Sequence, residues 1–179
     1  MDNVLYLICN NSWNNPFQIL LFDSNVDDFL QDTSVFNERI IGKKQLVFLI
    51  EDEDGEKFGY YLNNQVSEKY RRLIGTDNKS FLFNLQSTNG RLPKPMKFEI
   101  TDLKECGYFL YPESDDWLII LGNILLYKEN WKYKSCCFQN EDEYRFDYHG
   151  IKNALCGKTY ERPNYEEFTP KRILVIQMN

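Results

Sequence analysis

The sequence QLVFLIEDEDGEKFGYYL occupies residues 45–62 and joins two runs of aromatic and aliphatic residues through an acidic segment. That segment contains Asp54-Gly55, one of the strongest short hairpin signals, because glycine accepts the positive φ that a tight turn requires. Residues 45–62 therefore predict a β-hairpin.

Short aromatic and β-branched runs bounded by turn residues recur along the chain, which is typical of strands. The predicted strands span residues 17–22, 45–50, 57–62, 80–85, 97–101, 107–111, 117–121, 125–128, 144–148 and 172–178. Many strands with few helices favour two packed antiparallel sheets. We therefore predict a mainly β (α+β) fold: a two-sheet antiparallel β-sandwich with a few short peripheral helices.

Helical patterns are few. The clearest one lies between Asn64, which can cap a helix, and Gly75, which can end one. Its apolar positions share one helical face: Val66, Tyr70 and Leu73. Weaker helical patterns predict short helices within residues 27–39 and 150–155.

Length and net charge limit the kinds of protein and partner that this sequence can represent. A chain of 179 residues without linker or repeat is expected to form a single domain, residues 1–179. Lys and Arg number 21 against 27 Asp and Glu, so the net charge is −6. This balance disfavours nucleic acid and anionic membrane surfaces as main partners.

The compartment follows from the N-terminus and the cysteines. The chain begins with Met1-Asp2-Asn3, without the basic segment of a secretion signal, and no apolar run is long enough to span a bilayer. The five cysteines lack the spacing of a disulfide framework and are expected to be reduced: Cys9, Cys106, Cys136, Cys137 and Cys156. We expect a cytoplasmic protein without membrane insertion, and its oligomeric state stays open.

Metal-binding patterns fit this sequence poorly. Asp23, Asn25 and Asp27 match the first ligand positions of a calcium loop, but the later glycine and glutamate positions hold other residues. Cys136 and Cys137 are adjacent and lack the spacing of a zinc site. We expect no metal and no cofactor, with a weak ion site at residues 23–27 as the remaining alternative.

No catalytic or nucleotide-binding motif is recognisable. The single histidine, His149, would have to serve any triad, and spacing leaves open a pair with Cys106, Cys137 or Cys156 because such partners meet in space. A surface histidine and buried thiols are the simpler interpretation. We therefore expect no catalytic residues and no enzyme.

Several aromatic and glycine-containing segments follow one another in a distinctive order. They are QILLFD at 18–23, SVF at 34–36, FGYY at 58–61, SFLFNL at 80–85, WLIILG at 117–122, ILLY at 124–127, and Phe168 followed by ILVIQMN at 173–179. In this order and spacing they resemble the TLDc family, the domain found in oxidation-resistance proteins. The resemblance covers residues 17–179 and is greatest to the short TLDc proteins of amoebic protists.

The resemblance implies a β-sandwich and a non-enzymatic interaction module. It implies a link to oxidative-stress resistance and, as protein partner, the peripheral subunits of the vacuolar proton pump (V-ATPase), whose assembly such proteins regulate. The family-motif residues are interpreted as structural, since aromatic and glycine residues fill and shape a core. They are Phe58, Gly59, Tyr60, Ser80, Phe81, Phe83, Trp117, Gly122 and Phe168.

Three alternatives remain open because fold does not determine function. A thiol-based redox protein would need an exposed cysteine whose pKa is lowered. A hydrolase would need His149. An adaptor or signalling module would keep the fold and bind an unrelated client.

Overall fold

Two six-stranded antiparallel sheets make up the computed structural model, which describes residues 18–68, 70–88, 92–104, 106–129, 132–138, 145–156 and 166–178. The strands are β1 (Gln18–Asp23), β2 (Leu46–Asp52), β3 (Lys57–Leu62), β4 (Ile74–Gly75), β5 (Phe81–Gln86), β6 (Met96–Glu99), β7 (Gly107–Leu110), β8 (Trp117–Leu121), β9 (Ile124–Tyr127), β10 (Ser135–Cys137), β11 (Glu166–Phe168) and β12 (Pro170–Met178). One helix, α1 (Phe36–Ile40), occurs in these ranges.

The two sheets pack as a sandwich, which confirms the predicted fold class. The first sheet has the order β1-β12-β2-β3-β5-β6, and the second has the order β11-β10-β9-β8-β7-β4. Alternate residues of each strand point between the sheets, as the two-residue period of a strand requires. The fully buried core includes Phe48, Tyr60 and Leu82 of the first sheet and Ile119 and Leu126 of the second.

The predicted hairpin at residues 45–62 is confirmed. β2 and β3 pair from Leu46 opposite Leu62 to Glu51 opposite Lys57. Gly55 has φ of 84° in the turn, and its N–H donates to the carbonyl of Asp52 at 3.1 Å. The turn thus requires the positive φ that glycine adopts readily.

The outer face of the first sheet is also apolar. Its residues form a second buried cluster: Val47, Leu49, Tyr61, Phe81, Phe83, Ile176 and Met178. Gly59 lies directly opposite Phe83 in the β3–β5 pair. A Cβ atom at Gly59 would lie 1.9 Å from the carbonyl oxygen of Phe48 and 2.8 Å from Cζ of Phe83. The close approach of backbone and ring therefore requires glycine at this position.

The predicted helix between Asn64 and Gly75 is wrong. In the described residues of this segment, the backbone N–H groups of Val66 and Arg71 donate to Lys43 and Leu110 rather than along a helix. Arg71 has φ of 53°, outside the right-handed helical region, and Ile74–Gly75 forms β4. Pairing with distant backbone therefore outweighs the helical pattern.

The other two helix predictions need correction as well. Within residues 27–39 only α1 is helical, because Asp28 accepts the N–H of Leu30 at 2.8 Å and Asp32 has φ of 67°. Residues 150–155 form turns, since Gly150 has φ of 74° and Asn153 has φ of 52°. Positive φ values interrupt both helical patterns.

The strand prediction at residues 144–148 is wrong for its described part, where Phe146 forms only an isolated bridge with Ile100. Three observed strands were not predicted: β4, β10 and β11. Each has two or three residues, too few for a period to be visible. None of the described segments is a helix with the length and apolar character needed to cross a membrane.

Replacing Gly59 with alanine is predicted to lower the free energy of unfolding by about 3 kcal/mol or more, because the new methyl group meets backbone and a buried ring. Gly75→Ala is the matched control, since a Cβ there has nothing within 4 Å. Urea denaturation followed by circular dichroism measures both. Equal losses in the two variants would contradict this account.

Candidate functional site

A groove of about 570 Å³ opens at the edge of the sandwich, where the chain passes from β11 to β12. Four segments contribute its walls: the turn after β1, the end of β9 with the residues that follow, the residues that lead into β10, and the β11–β12 junction. They supply Ser24, Asn25, Phe29, Tyr127, Lys128, Glu129, Lys132, Tyr133, Lys134, Ser135, Thr169, Pro170 and Lys171. The groove therefore exists only when both sheets are assembled.

The groove is basic although the chain is acidic. Among the described residues that line it are four lysines and one glutamate, Glu129. Lys134 and Lys171 reach outward to acidic residues of the hairpin: Lys134 Nζ lies 3.9 Å from Glu53, and Lys171 Nζ donates to Glu51 at 2.8 Å. Both lysine side chains are more than half exposed. Solvent can therefore replace either partner at little cost.

Aromatic side chains form a row that ends in the groove. Tyr111 and Trp117 have ring centroids 5.0 Å apart, Trp117 and Tyr127 lie 6.0 Å apart, and Tyr127 and Tyr133 lie 6.2 Å apart. Trp117 and Tyr127 are cross-strand partners on β8 and β9. Tyr133 is 56% exposed, and the ammonium of Lys132 lies 4.8 Å from its ring centroid. This aromatic row offers the amphipathic surface that protein interfaces favour.

Lys128 supports the groove from below. Its side chain is buried, and the ammonium donates to the carbonyl oxygens of Pro112 at 2.9 Å, Glu113 at 2.6 Å and Asp115. Burial lowers the pKa of this amine, while the surrounding acidic residues oppose that shift. Lys128 thus holds the loop between β7 and β8 against the end of β9.

The same loop is held from the other side by Arg71. Its Nε donates to Asp115 Oδ2 at 2.8 Å, and a second guanidinium nitrogen contacts Oδ1. This hydrogen bond lowers the pKa of Asp115. The positive φ of Arg71, which interrupts the predicted helix, is part of the turn that presents this side chain.

The structure places most of the predicted family-motif residues in the core rather than in the groove. Phe58 packs on Phe168 with ring centroids 5.0 Å apart. Gly122 has φ of 55° and lies against the rings of Phe146 and Tyr60. Gly59, Phe81 and Phe83 belong to the outer face of the first sheet described above. Trp117 differs, because it lies in the aromatic row.

Ser80 joins three segments of backbone. Its Oγ accepts hydrogen bonds from the N–H of Asn63 at 3.0 Å and from the hydroxyl of Thr76 at 2.6 Å. Asp77 accepts from the N–H of Ser80 at 3.2 Å and from the side-chain amide of Asn63 at 2.6 Å. The neighbouring hydroxyl of Tyr60 is buried, and burial raises its pKa. Ser80 therefore secures the start of β5.

The described cysteines are buried: Cys106, Cys136, Cys137 and Cys156. Burial raises the pKa of Cys136 to about 12 and raises the pKa of Cys137 well above its usual value. The thiol of Cys156 lies 3.1 Å from a carboxylate oxygen of Glu166. These cysteines lack the exposure that the redox alternative requires, and Cys9 lies outside the described residues.

His149 is a surface residue with a local partner. Its Nδ1 lies 3.2 Å from Asp147, whose other carboxylate oxygen accepts the N–H of His149 at 2.8 Å. This pairing fixes the turn in which His149 has φ of 54°. The imidazole therefore pairs with the neighbouring carboxylate of Asp147 on the protein surface.

Of the residues considered for a weak ion site, Asp23 holds β1 to β12, and Asp27 closes the turn after β1. Arg172 donates to both carboxylate oxygens of Asp23, at 3.0 and 2.6 Å. Asp27 accepts the N–H of Asp23 at 2.8 Å. Within the described ranges, no group of three or more His, Cys, Asp and Glu residues could hold a metal ion.

The sequence prediction missed the lysines and Tyr133 of the groove. A signal was present, since residues 127–135 have the sequence YKENWKYKS, in which lysines alternate with aromatic residues. Lys171 carries no comparable local signal, because it joins the groove only through the pairing of β12.

One family model, described as TLDc domain, matches residues 3–146 of the chain. No curated protein gives a significant match. The matched range includes the aromatic row and most of the groove, whereas Thr169, Pro170 and Lys171 follow it in the chain.

Lys128→Met is predicted to lower the free energy of unfolding by about 3 kcal/mol, because three carbonyl oxygens lose a charged donor. Lys134→Met is the control, since that side chain is exposed and its ion pair is long. Chemical denaturation of both variants measures the difference. Unchanged stability of Lys128→Met would contradict the supporting role.

Replacing Asp23 with asparagine is predicted to lower the free energy of unfolding by about 1 kcal/mol at neutral pH, because the ion pair with Arg172 is lost. The loss is small because Arg172 is partly exposed and water screens the pair. The hydrogen bond from Arg172 holds the pKa of Asp23 below its usual 3.8. A lowered folded-state pKa stabilises the protein above the unfolded value, and this contribution is lost as the pH falls through the folded value. The difference between wild type and variant should therefore shrink below pH 3.8. Urea titrations at neutral and acidic pH test this, and a constant difference would contradict it.

Proposed function

The chain belongs to the TLDc domain family, and from this premise we propose that it is a non-enzymatic protein-interaction module that regulates the vacuolar proton pump. The observation that carries the proposal is the family match over residues 3–146. TLDc domains are interaction domains that are often linked to oxidative-stress resistance. The proposal assigns the protein to the cytoplasm and makes the peripheral subunits of the pump its partner.

The geometry supports a binding role in two ways. The groove and the aromatic row share Tyr127 and Tyr133 and together combine exposed lysines with aromatic rings. By contrast, Ser80, His149 and the described cysteines make contacts that serve the fold. The residues that could bind a partner are thus separate from those that build the core.

The partner is tested with purified components. The tagged protein is immobilised and incubated at low salt with the purified peripheral sector of the vacuolar pump, and retained subunits are quantified. Wild type should retain them at least about tenfold above an immobilised unrelated protein of similar size and equal net charge, a difference of about 1.4 kcal/mol in binding.

Two other outcomes are informative. Equal retention by wild type and the unrelated protein would contradict the proposed partner, because it would show that the pump sector adsorbs without specificity. Failure to retain the pump sector, together with specific binding of another purified protein, would also contradict it and would favour an adaptor with a different client.

A further inference from the structure

We propose that the groove binds an acidic, extended segment of a partner protein, with carboxylates on the lysines and an apolar side chain against the aromatic row. This inference rests on the proposed function as an interaction module and names the chemistry of the partner. It concerns a surface that the motif residues of the core do not form.

The charge pattern favours an acidic ligand. The groove presents three exposed lysines, Lys132, Lys134 and Lys171, whereas the chain as a whole has a net charge of −6. The contacts of Lys134 with Glu53 and of Lys171 with Glu51 are exposed ion pairs, which contribute little to stability. Carboxylates of a ligand can therefore exchange with Glu51 and Glu53, and both lysines remain paired before and after binding.

The shape favours a peptide with mixed character. Tyr127, Tyr133 and Phe29 supply apolar surface within the groove, and Lys132 places its ammonium beside the ring of Tyr133. A volume of about 570 Å³ accommodates a few side chains. Rigid rings add contact area at low entropic cost, so an apolar side chain flanked by carboxylates fits both features.

The same charges disfavour polyphosphate surfaces. Glu129 lies in the groove wall, and Glu51 and Glu53 stand at its rim, so a broad membrane or nucleic-acid surface would meet all three carboxylates at once. A narrow peptide can place its own carboxylates on the lysines and away from these three. The cations are lysines, which act as separate point charges and do not clamp a phosphate in two places. Separate carboxylates on a flexible peptide match this spacing better.

The probe is a short fluorescein-labelled peptide in which Glu and Ser alternate around a central Phe. Its matched control has Gln in place of every Glu. Fluorescence anisotropy should show that the acidic peptide binds the wild-type protein at least about tenfold more tightly than the Gln peptide, and that its affinity falls as salt is added.

A pair of triple variants tests the location. Lys132→Glu, Lys134→Glu and Lys171→Glu together reverse the charge of the groove. Lys43→Glu, Lys44→Glu and Lys79→Glu make the same change in net charge at exposed lysines outside it. The groove variant should bind the acidic peptide at least about tenfold more weakly, and the control should stay within about twofold of wild type. Urea midpoints confirm that both variants are folded.

Several results would overturn the inference. Equal affinity for the Glu and Gln peptides would show that ligand carboxylates do not contribute to binding. Equal losses of affinity in the two triple variants would show that the peptide does not bind in the groove. Sedimentation with vesicles that contain phosphatidylserine, without peptide binding, would identify a membrane surface instead.

The pump experiment separates this inference from the proposed function. If the groove variant retains the peripheral sector as well as wild type does, and the acidic peptide does not bind, the proposed function is supported and the inference about the groove fails. If the peptide binds at the groove but the peripheral sector is not retained, the inference stands and the proposed partner fails.

Discussion

The insertion of β12 between β1 and β2 is the pairing on which the rest of the structure depends. Without it, both neighbours would expose a row of backbone donors and acceptors at a sheet edge. Ser24 and Ile173 strengthen the junction through two reciprocal hydrogen bonds, of 3.0 and 2.9 Å. The pairing joins strands that are far apart in the sequence, so the first sheet is complete only after β12 has been added.

The same strand creates the candidate site. The chain leaves β11 in the second sheet, crosses at Thr169 and enters β12 in the first, and the groove opens at this crossing. Lys171 reaches the groove from the irregularity in the β12–β2 pairing, between Pro170 opposite Asp52 and Arg172 opposite Glu51. Because the crossing joins two sheets, it sets the positions of the backbone segments that carry the lysines and the aromatic rings, which favours selective binding.

Much of the fold was predictable because it depends on local patterns. Aromatic and β-branched runs bounded by turn residues identified β2, β3, β5 and β8, and Asp54-Gly55 located the hairpin. The helix predicted between Asn64 and Gly75 failed because its backbone has distant partners. Tyr70 and Arg71 carry a helical pattern, but their backbone pairs with Leu110 of another sheet strand, and no local signal reports such a partner.

By itself, the sequence determined the β-sandwich, the hairpin, the acidic balance of the chain and the family, because periodicity, turn chemistry and motif order are local or additive properties of the residues. The tertiary structure decided which cations come together. Lys132 and Lys134 are near each other in the chain, but Lys171 joins them only after β12 has found its place. A binding surface assembled from distant segments follows from strand register, and register is a property of the packed sheets rather than of any one segment.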